Sequence, residues 1–587
     1  MKLEVIITTL LLTLSITGKS QSDHTPLKVD REYAGVNYLQ DEALAKSIGL
    51  PKTFSGKGVL VAIFDGGFDC RHIAFLDPVT HEGRVKVVYD VAKDITYNTP
   101  EGIDTLGVLS TPKAGNDHGC HVAGIATGSY DGEEGLRGVA PEATVMIVRG
   151  DLDDNYAQKV FDRIDEVADS LDLPCVVNIS LNHKSSGNLS QFETHMDFHD
   201  IVGKFTGNGT KPGRIVCMAS GNTGKLKGEA GVKHTFTSND ETIYLLSLGL
   251  DTNPDSFSQI GNLTAHSTDM ENTSISIDVY DIENNCVVED FTITDWYNDK
   301  EYTTSEELTS LLKSKFDVYG NEFIFSDKDD FWGMGTSKDN LALRYSIKGS
   351  KGSTITIESS DLNNYTPDGF TTYNYNFPFT KIPYYVCTTN AISVGNVASR
   401  DIEHNGVSYT PGMICHTSCW GQNMAGQKFP DVCAPGVELL SSVALGVCND
   451  LNPLRITNPY PEWSATAYDY VPMTGTSMAS PFMTGMTALM LEYDPTLTVN
   501  RLRNLLYKTN DWNDSCLCED GATGGNGILN AKNLMLALIE ESQASGIYNM
   551  NAETSENQKH GTKFFENGNL VIVKNNKRFN TLGQRIK

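Results

Sequence analysis

Three short stretches carry residues that could share one piece of nucleophilic chemistry. In Thr474-Gly475-Thr476-Ser477-Met478-Ala479-Ser480-Pro481 a serine follows a glycine turn and precedes an apolar or small-residue run that reaches Leu491. A helix that is apolar all round is a buried helix. Pro481 is expected near its start, where N–H groups have no intrahelical acceptor. Ser477 then sits at the N-terminal end, where its own N–H and the helix dipole favour negative charge. An acyl-transfer nucleophile needs both features. A helix-capping serine would leave the same trace, and this stretch alone does not separate the two. Gly58-Val59-Leu60-Val61-Ala62-Ile63-Phe64-Asp65 is an apolar run that ends in a carboxylate. It suits a buried parallel strand that delivers Asp65 to the carboxyl edge of a sheet, where ligands bind in α/β folds. Asp117-His118-Gly119-Cys120-His121-Val122-Ala123-Gly124 puts a histidine at a helix start, followed by small residues that allow close packing. Asp117 or Asn116 is expected to cap that helix, and His121 to be a satisfied structural histidine.

Chain order narrows the chemistry. Asp, then His, then Ser is the subtilisin order, unlike that of chymotrypsin or the α/β-hydrolases. The α/β-hydrolase elbow also needs glycine two residues on either side of the serine, and Ala479 takes the second place. The sequence resembles the subtilisin-like serine peptidases in Asp65-Gly66-Gly67-Phe68-Asp69, in His118 to Gly124, in Gly475 to Pro481 and in Ala219-Ser220-Gly221-Asn222. The resemblance covers most of residues 51–224 and 383–540. It implies Asp65, His118 and Ser477 as catalytic residues and Asn222 as an oxyanion donor. It also implies a substrate-binding edge at Ser180, Leu181 and Asn182, facing Ala219, Ser220 and Gly221, where an extended peptide adds as a strand. Two positions depart from the family. Cys120 stands where it usually has threonine, and Asn182 where it often has glycine. Cys120 has two readings, packing beneath His118 or an alternative nucleophile. Asn222 also has a bland reading, as an asparagine tolerated in a turn.

The elements that must position these residues alternate. Val59–Phe64, Val85–Tyr89, Thr144–Val148, Val176–Leu181 and Ile215–Ala219 read as strands, and Tyr156–Leu171 as a helix. That alternation predicts an α/β fold with a mainly parallel sheet covered on both faces, in the three-layer manner of the family. Residues 225–381 interrupt it with partial two-residue alternation at Glu241–Leu250, Ser274–Tyr280, Leu341–Ile347 and Ser353–Glu358, and one helix at Ser305–Phe316. This predicts an inserted β-rich domain of sandwich or jelly-roll type. The α/β pattern resumes over residues 382–540, with late strands near Ala391–Val397 and Cys433–Val437 and helices at Thr498–Thr509 and up to Ile539.

Residues 1–20 read as a signal peptide, with an apolar run too short to span a bilayer and small residues at a cleavage point after Ser20. Residues 21–50 read as a polar arm with a short helix at Asp41–Ile48. Residues 541–562 read as a linker, and residues 563–587 as a tail with a short strand at Leu570–Val573, read either as a sorting signal for secretion machinery or as a packed hairpin. The chain's 46 basic against 74 acidic residues give a formal net charge of -28, which argues against nucleic acid as a partner. Polypeptide substrates, no membrane span and a secreted or surface location follow from these readings. The twelve cysteines allow disulfides in an oxidising compartment, although Cys175, Cys217 and Cys433 sit in strand-like contexts that suit buried thiols. No cofactor is required and no metal ligand set is named. Structural calcium stays open as a reading, without a recognisable loop in which to place it. The competing reading is a catalytically silent binding protein on the same fold. Retention of Asp65, His118, Asn222 and Ser477 argues for the enzyme, and motif and chain order argue against an esterase.

Overall fold

The computed structural model describes residues 24–109, 117–152, 154–181, 196–222, 224, 230–247, 263–281, 384–422, 427–460, 465–513, 516 and 524–544, with strand segments over 286–359 and 562–586. The chain divides into two compact units, Met1–Leu534 and Met535–Lys587. Labelled in chain order, the elements that matter here are β1 (Leu60–Asp65), β2 (Val85–Asp90), β3 (Ile95–Tyr97), α1 (His118–Thr127), β4 (Thr144–Arg149), α2 (Asp154–Leu171), β5 (Cys175–Ile179), α3 (Met196–Thr206), β6 (Arg214–Ala219), β7 (Ile392–Val397), β8 (Val432–Pro435), β9 (Leu439–Val443), β10 (Ala467–Met473), α4 (Thr476–Tyr493) and α5 (Val499–Thr509).

Strands β8-β7-β6-β5-β1-β4-β2-β3 form one eight-stranded sheet. Every pairing is parallel except that of β2 with β3. Strands β1, β5, β6 and β7 are buried along their whole length, which is why they read as continuous apolar runs. Side chains alternate between the two faces of a strand. Leu60, Ala62 and Phe64 of β1 join Val177, Ile179, Val216 and Met218 in a core with Phe161 of α2 and Phe198 of α3. Val61, Ile63 and Asp65 therefore face the other way, toward α1 and α4, which pack on β1 and on each other. The same alternation points Asn178 of β5 at α4. Gly485 lets α4 approach α1 closely, since a methyl there would stand 2.5 Å from the Val139 Cβ and 2.9 Å from the Ala126 carbonyl.

Between β6 and β7 the described strands form two larger antiparallel sheets and a two-stranded one, Phe316–Asp317 with Thr336–Ser337. One of the larger two joins Thr242–Ser247, Leu341–Lys348, Ser274–Asp281 and Cys286–Ile293, and the other includes Ala230–Thr235, Thr354–Ser359 and Leu263–Ser267. Ile243, Ile275, Tyr345, Ile347 and Ile355 are buried. The helix expected over Ser305–Phe316 lies outside the described residues, except that Phe316 sits in a two-residue strand.

Three expectations about the ends change. The arm is more than polar chain with one helix. Besides Glu42–Ser47 it forms Leu27–Tyr33 and Asn37–Gln40, and Leu27, Val36 and Leu39 are fully buried. Asp30 is also fully buried, 2.6 Å from Arg400, and burial pushes its carboxyl up to about 6 against the pull of that guanidinium. The last helix runs past Ile539 to Ala544. The tail holds four strands, Thr562–Glu566, Asn569–Lys574, Lys577–Phe579 and Arg585–Ile586, paired antiparallel in that order. Residues 1–23 and 545–561 lie outside the described residues. Among the described residues no helix is long and apolar enough to cross a membrane.

Helix α5 is tied to the sheet by a buried charge. Asp431 accepts from Arg503 Nε at 2.9 Å, Tyr507 Oη at 2.7 Å and the Ser393 amide at 2.9 Å. Removing one partner of a buried pair strands the other in a dry environment. Asp431→Ala is expected to lower the unfolding free energy by about 3–5 kcal/mol in urea or thermal denaturation. A loss under about 1 kcal/mol would show that the pair does not bear on stability.

Candidate active site

Asp65 ends β1, and its side chain is fully buried. Its Oδ1 accepts the Gly66 amide at 2.7 Å and lies 2.8 Å from Nδ1 of His118. Its Oδ2 is buried without a hydrogen-bond partner among the described residues. The start of α1 is held against the turn after β1. Gly119 and Cys120 donate their amides to the carbonyls of Gly66 and Gly67, each at 2.7 Å. A side chain on Gly119 would stand 2.6 Å from the Phe68 ring, so glycine alone admits this approach. Gly67 takes a left-handed φ of 81°, which makes the turn. Asp117 occupies the N-cap position but makes no capping bond. It accepts instead from the Cys448 thiol at 2.7 Å, which corrects the capping role expected of it.

His118 is 26% exposed. Burial disfavours its imidazolium, but the charge and hydrogen bond of Asp65 outweigh that penalty and Asp117 adds to them, so its pKa lies above the ordinary value. His121 behaves differently. Its Nε2 donates to the carbonyls of Leu439 at 3.0 Å and Val471 at 2.9 Å, tying α1 to β9 and β10, and burial lowers its pKa to about 4. Cys120 is fully buried, donates to Ser442 Oγ at 3.8 Å, and is pushed up to about 12 by burial. A fully buried thiol that is hard to ionise is a poor nucleophile, which favours the packing reading of Cys120.

Gly475 is the N-cap of α4 and Ser477 the second helical residue, so Ser477 is not the cap. Its hydroxyl donates to the Ser180 carbonyl at 3.3 Å, and a hydrogen bond to His118 is not formed. Pro481 lies deeper in the helix than expected. The free-donor turn is already closed by Ala479, whose amide reaches the Gly475 carbonyl at 3.3 Å. The proline nitrogen therefore faces the Ser477 carbonyl and cannot donate to it. Ser180 Oγ supplies the missing bond at 3.0 Å.

Asn222 brings the remaining polar group. Its Oδ1 accepts the Thr476 amide at 2.9 Å and the Thr476 hydroxyl at 3.1 Å, which leaves Nδ2 as the outward end. A methyl on Gly475 would stand 3.3 Å from Asn222 Nδ2 and 3.6 Å from the Ser477 nitrogen. Two N–H donors thus border one gap beside Gly475, which Asn222 Oδ1, 3.5 Å from the same point, also lines while it accepts from Thr476. Donors fixed around such a gap stabilise negative charge on an oxygen placed there.

The other candidates divide. Ser180 is buried behind Ser477, Leu181 is half-buried two residues past the end of β5, and Asn182 lies outside the described residues. Ala219 ends β6. The Ser220 amide is committed to the Val394 carbonyl at 2.9 Å and the Gly221 amide to Thr476 Oγ1 at 3.1 Å. Those two donors hold the site together and are not open to a ligand. Asn178 was missed, although an asparagine inside Val176-Val177-Asn178-Ile179 is a polar break in a buried strand and needs partners. Among the described residues ten cysteines, Cys415 and Cys419 among them, are buried. Among the described residues no His, Cys, Asp and Glu cluster could hold a metal ion.

A mainly parallel sheet with an Asp–His pair at its carboxyl edge and a serine at a buried helix start is the layout of subtilisin-like proteins. The chain belongs to the subtilase family, whose profile matches residues 56–296 and 320–562. It is similar to serine protease AprX of Bacillus subtilis (strain 168), 32% identical over 153 residues that make up 25% of this chain and 29% of AprX. It is also similar to the minor extracellular protease Epr of the same organism, 33% identical over 130 residues, 22% of this chain and 18% of Epr. The chain thus spans under a third of the length of either relative. The solved structure of the Clostridium perfringens CspB protease shares the fold, with a TM-score of 0.58 at 17% identity over 88% of this chain and 98% of that one.

The pairing of Asp65 with His118 is open to direct titration. Ring resonances of His118 followed by NMR are expected to titrate above the ordinary value of ~6.5. In Asp65→Asn the stabilising charge is lost while burial remains, so the midpoint should fall below ~6.5. An unchanged midpoint would show that Asp65 does not govern the ring.

Proposed function

We propose that the protein is a secreted serine endopeptidase that hydrolyses peptide bonds in polypeptide substrates. The observation that carries this reading is the gap above Gly475, bordered by Asn222 Nδ2 and the Ser477 amide. The Ser477 hydroxyl turns from Ser180 to His118, which takes its proton as the oxygen attacks the scissile carbonyl. Catalytic hydrogen bonds are often loose without substrate and tighten in the reacting complex. The carbonyl oxygen becomes an oxyanion in the gap. His118 then passes the proton to the leaving amine, while Asp65 holds the ring in its tautomer and stabilises the imidazolium without taking the proton. Ser180 and Leu181, continued by Asn182, and the segment from Ala219 to Gly221 border the strand-like substrate. No cofactor takes part.

Membership of the subtilase family supports this reading, as do the protease names of AprX and Epr. Export is supported by the signal-like residues 1–20 and by the extracellular naming of Epr. We assign residues 225–381 to an inserted β-rich domain between the two parts of the peptidase, 51–224 and 382–540, and residues 563–587 to a sorting tail. The alternative, a silent binding protein, draws on the Ser477 hydroxyl being turned toward Ser180.

Fluorophosphonate labelling of the mature protein is expected to modify Ser477. Ser477→Ala should lower peptide cleavage by on the order of 10⁶ in kcat, the scale of the subtilisin triad. Asn222→Ala should cost about 10²–10³, mainly in kcat. Because the base must be neutral and its pKa is raised, kcat/KM should fall in acid with an apparent pKa above ~6.5. Cys120→Ser should keep substantial activity. Cleavage that survives Ser477→Ala but not Cys120→Ser would overturn the serine mechanism. A wild-type protein that neither cleaves nor labels would leave the binding protein.

A further inference from the structure

Ser477 is fastened to the sheet by a side chain that the reaction itself never touches. Asn178 is fully buried in β5, on the face that meets α4. Its Oδ1 accepts from Ser480 Oγ at 2.8 Å and Thr484 Oγ1 at 3.0 Å, two hydroxyls one helical turn apart on α4. Its Nδ2 donates to Ser180 Oγ at 3.0 Å. A hydroxyl has one proton. With Asn178 donating into it, the proton of Ser180 is directed onward to the Ser477 carbonyl, 3.0 Å away.

That carbonyl is the one Pro481 leaves without its helical donor. The first turn of α4 therefore lacks an internal bond at the residue whose placement matters most, and the bond comes from the strand. A buried carboxamide is costly unless its polar atoms are paired. The carboxamide oxygen has two lone pairs; Ser480 fills one, and Thr484 faces the other while sharing its proton with the Ser480 carbonyl, also 3.0 Å away.

We propose that Asn178 is a positioning residue for catalysis, which sets the height and rotation of Ser477 against His118 and the Gly475 gap by orienting the Ser180 hydroxyl and clamping α4. The inference rests on the peptidase reading of Ser477. Asn178 reaches neither substrate nor proton, so its loss should act on the chemical step and leave binding alone.

The test is peptide hydrolysis by the full-length mature protein, with kcat normalised to the sites titrated by fluorophosphonate. Asn178→Ala is expected to lower kcat per titrated site roughly ten- to a hundredfold, the scale of a small misplacement of a reacting group. KM should stay within about twofold, since uniform binding is untouched. The acid limb of the pH profile should not move, because Asp65 and His118 keep their contact. Ser180→Ala should show the same kcat loss, and the double variant should be no worse than the more damaged single one, as for two links of one relay. A purely structural Asn178 would lower the melting temperature and the titratable fraction with kcat per site unchanged, and that result overturns the proposal. Should Asn178→Ala fail to fold, Ser180→Ala decides alone, and an undiminished kcat per site there overturns it as well. A wild-type protein without turnover or labelling would instead fail the peptidase reading, and this proposal with it.

Discussion

A carboxylate with no access to water must find a partner or lose its charge. Asp65 is such a group, and His118 is the partner it finds. Much else in the first half of the site follows from bringing that ring within 2.8 Å of a strand end. The strand must be buried and must stop at the carboxylate. The next turn must reverse at once, which Gly67 allows. The helix bearing His118 must begin against that turn, which requires Gly119 to have no side chain. Further along, His121 ties α1 to β9 and β10 and stays neutral by burial, so it adds no second charge beside His118.

The second half of the site answers to a different constraint. A parallel sheet exposes its carboxyl ends along one edge, and a single helix lying across β5, β6 and β7 can present its first turn to that edge. Ser477 needs a free N–H, an accessible hydroxyl and a fixed place. The first comes from helix geometry. The last would be undercut by Pro481, were Ser180 not to supply the bond the proline removes. Thr476 completes the arrangement by holding Asn222 and the Gly221 amide, so the serine and the amide that flank the gap belong to one hydrogen-bonded unit.

The parts that were readable in the sequence are those where one residue type has one physical reason to be there. Apolar runs ending at Asp65 and Ala219 read as buried parallel strands because a sheet covered on both faces tolerates little else. Asp65, His118, Asn222 and Ser477, the residues of the proposed mechanism, could be singled out because the motifs around them keep glycine and small residues where backbones must touch. Other parts depend on partners distant in sequence. Asp117 lost its capping role to a bond with Cys448, which no local pattern reveals. The amides of Ser220 and Gly221 are spent on Val394 and Thr476. The arm from His24 to Leu50 looked polar because charged residues interrupt its apolar ones, yet it buries Leu27, Val36 and Leu39 and pairs Asp30 with Arg400. Asn178 was visible only as an oddity within a strand, and its meaning required the register that sets it opposite Ser480 and Thr484.

In the proposed mechanism Asp65, His118, Ser477 and Asn222 act together around a single gap. The most direct measurement is a crystal structure of the mature protein after reaction with a peptidyl phosphonate. The proposed mechanism requires the phosphorus on Ser477 Oγ, with one phosphonyl oxygen at hydrogen-bonding distance, about 2.7–3.1 Å, from both Asn222 Nδ2 and the Ser477 amide. A phosphonyl oxygen turned to solvent with the gap empty, or an adduct on another residue, would contradict it.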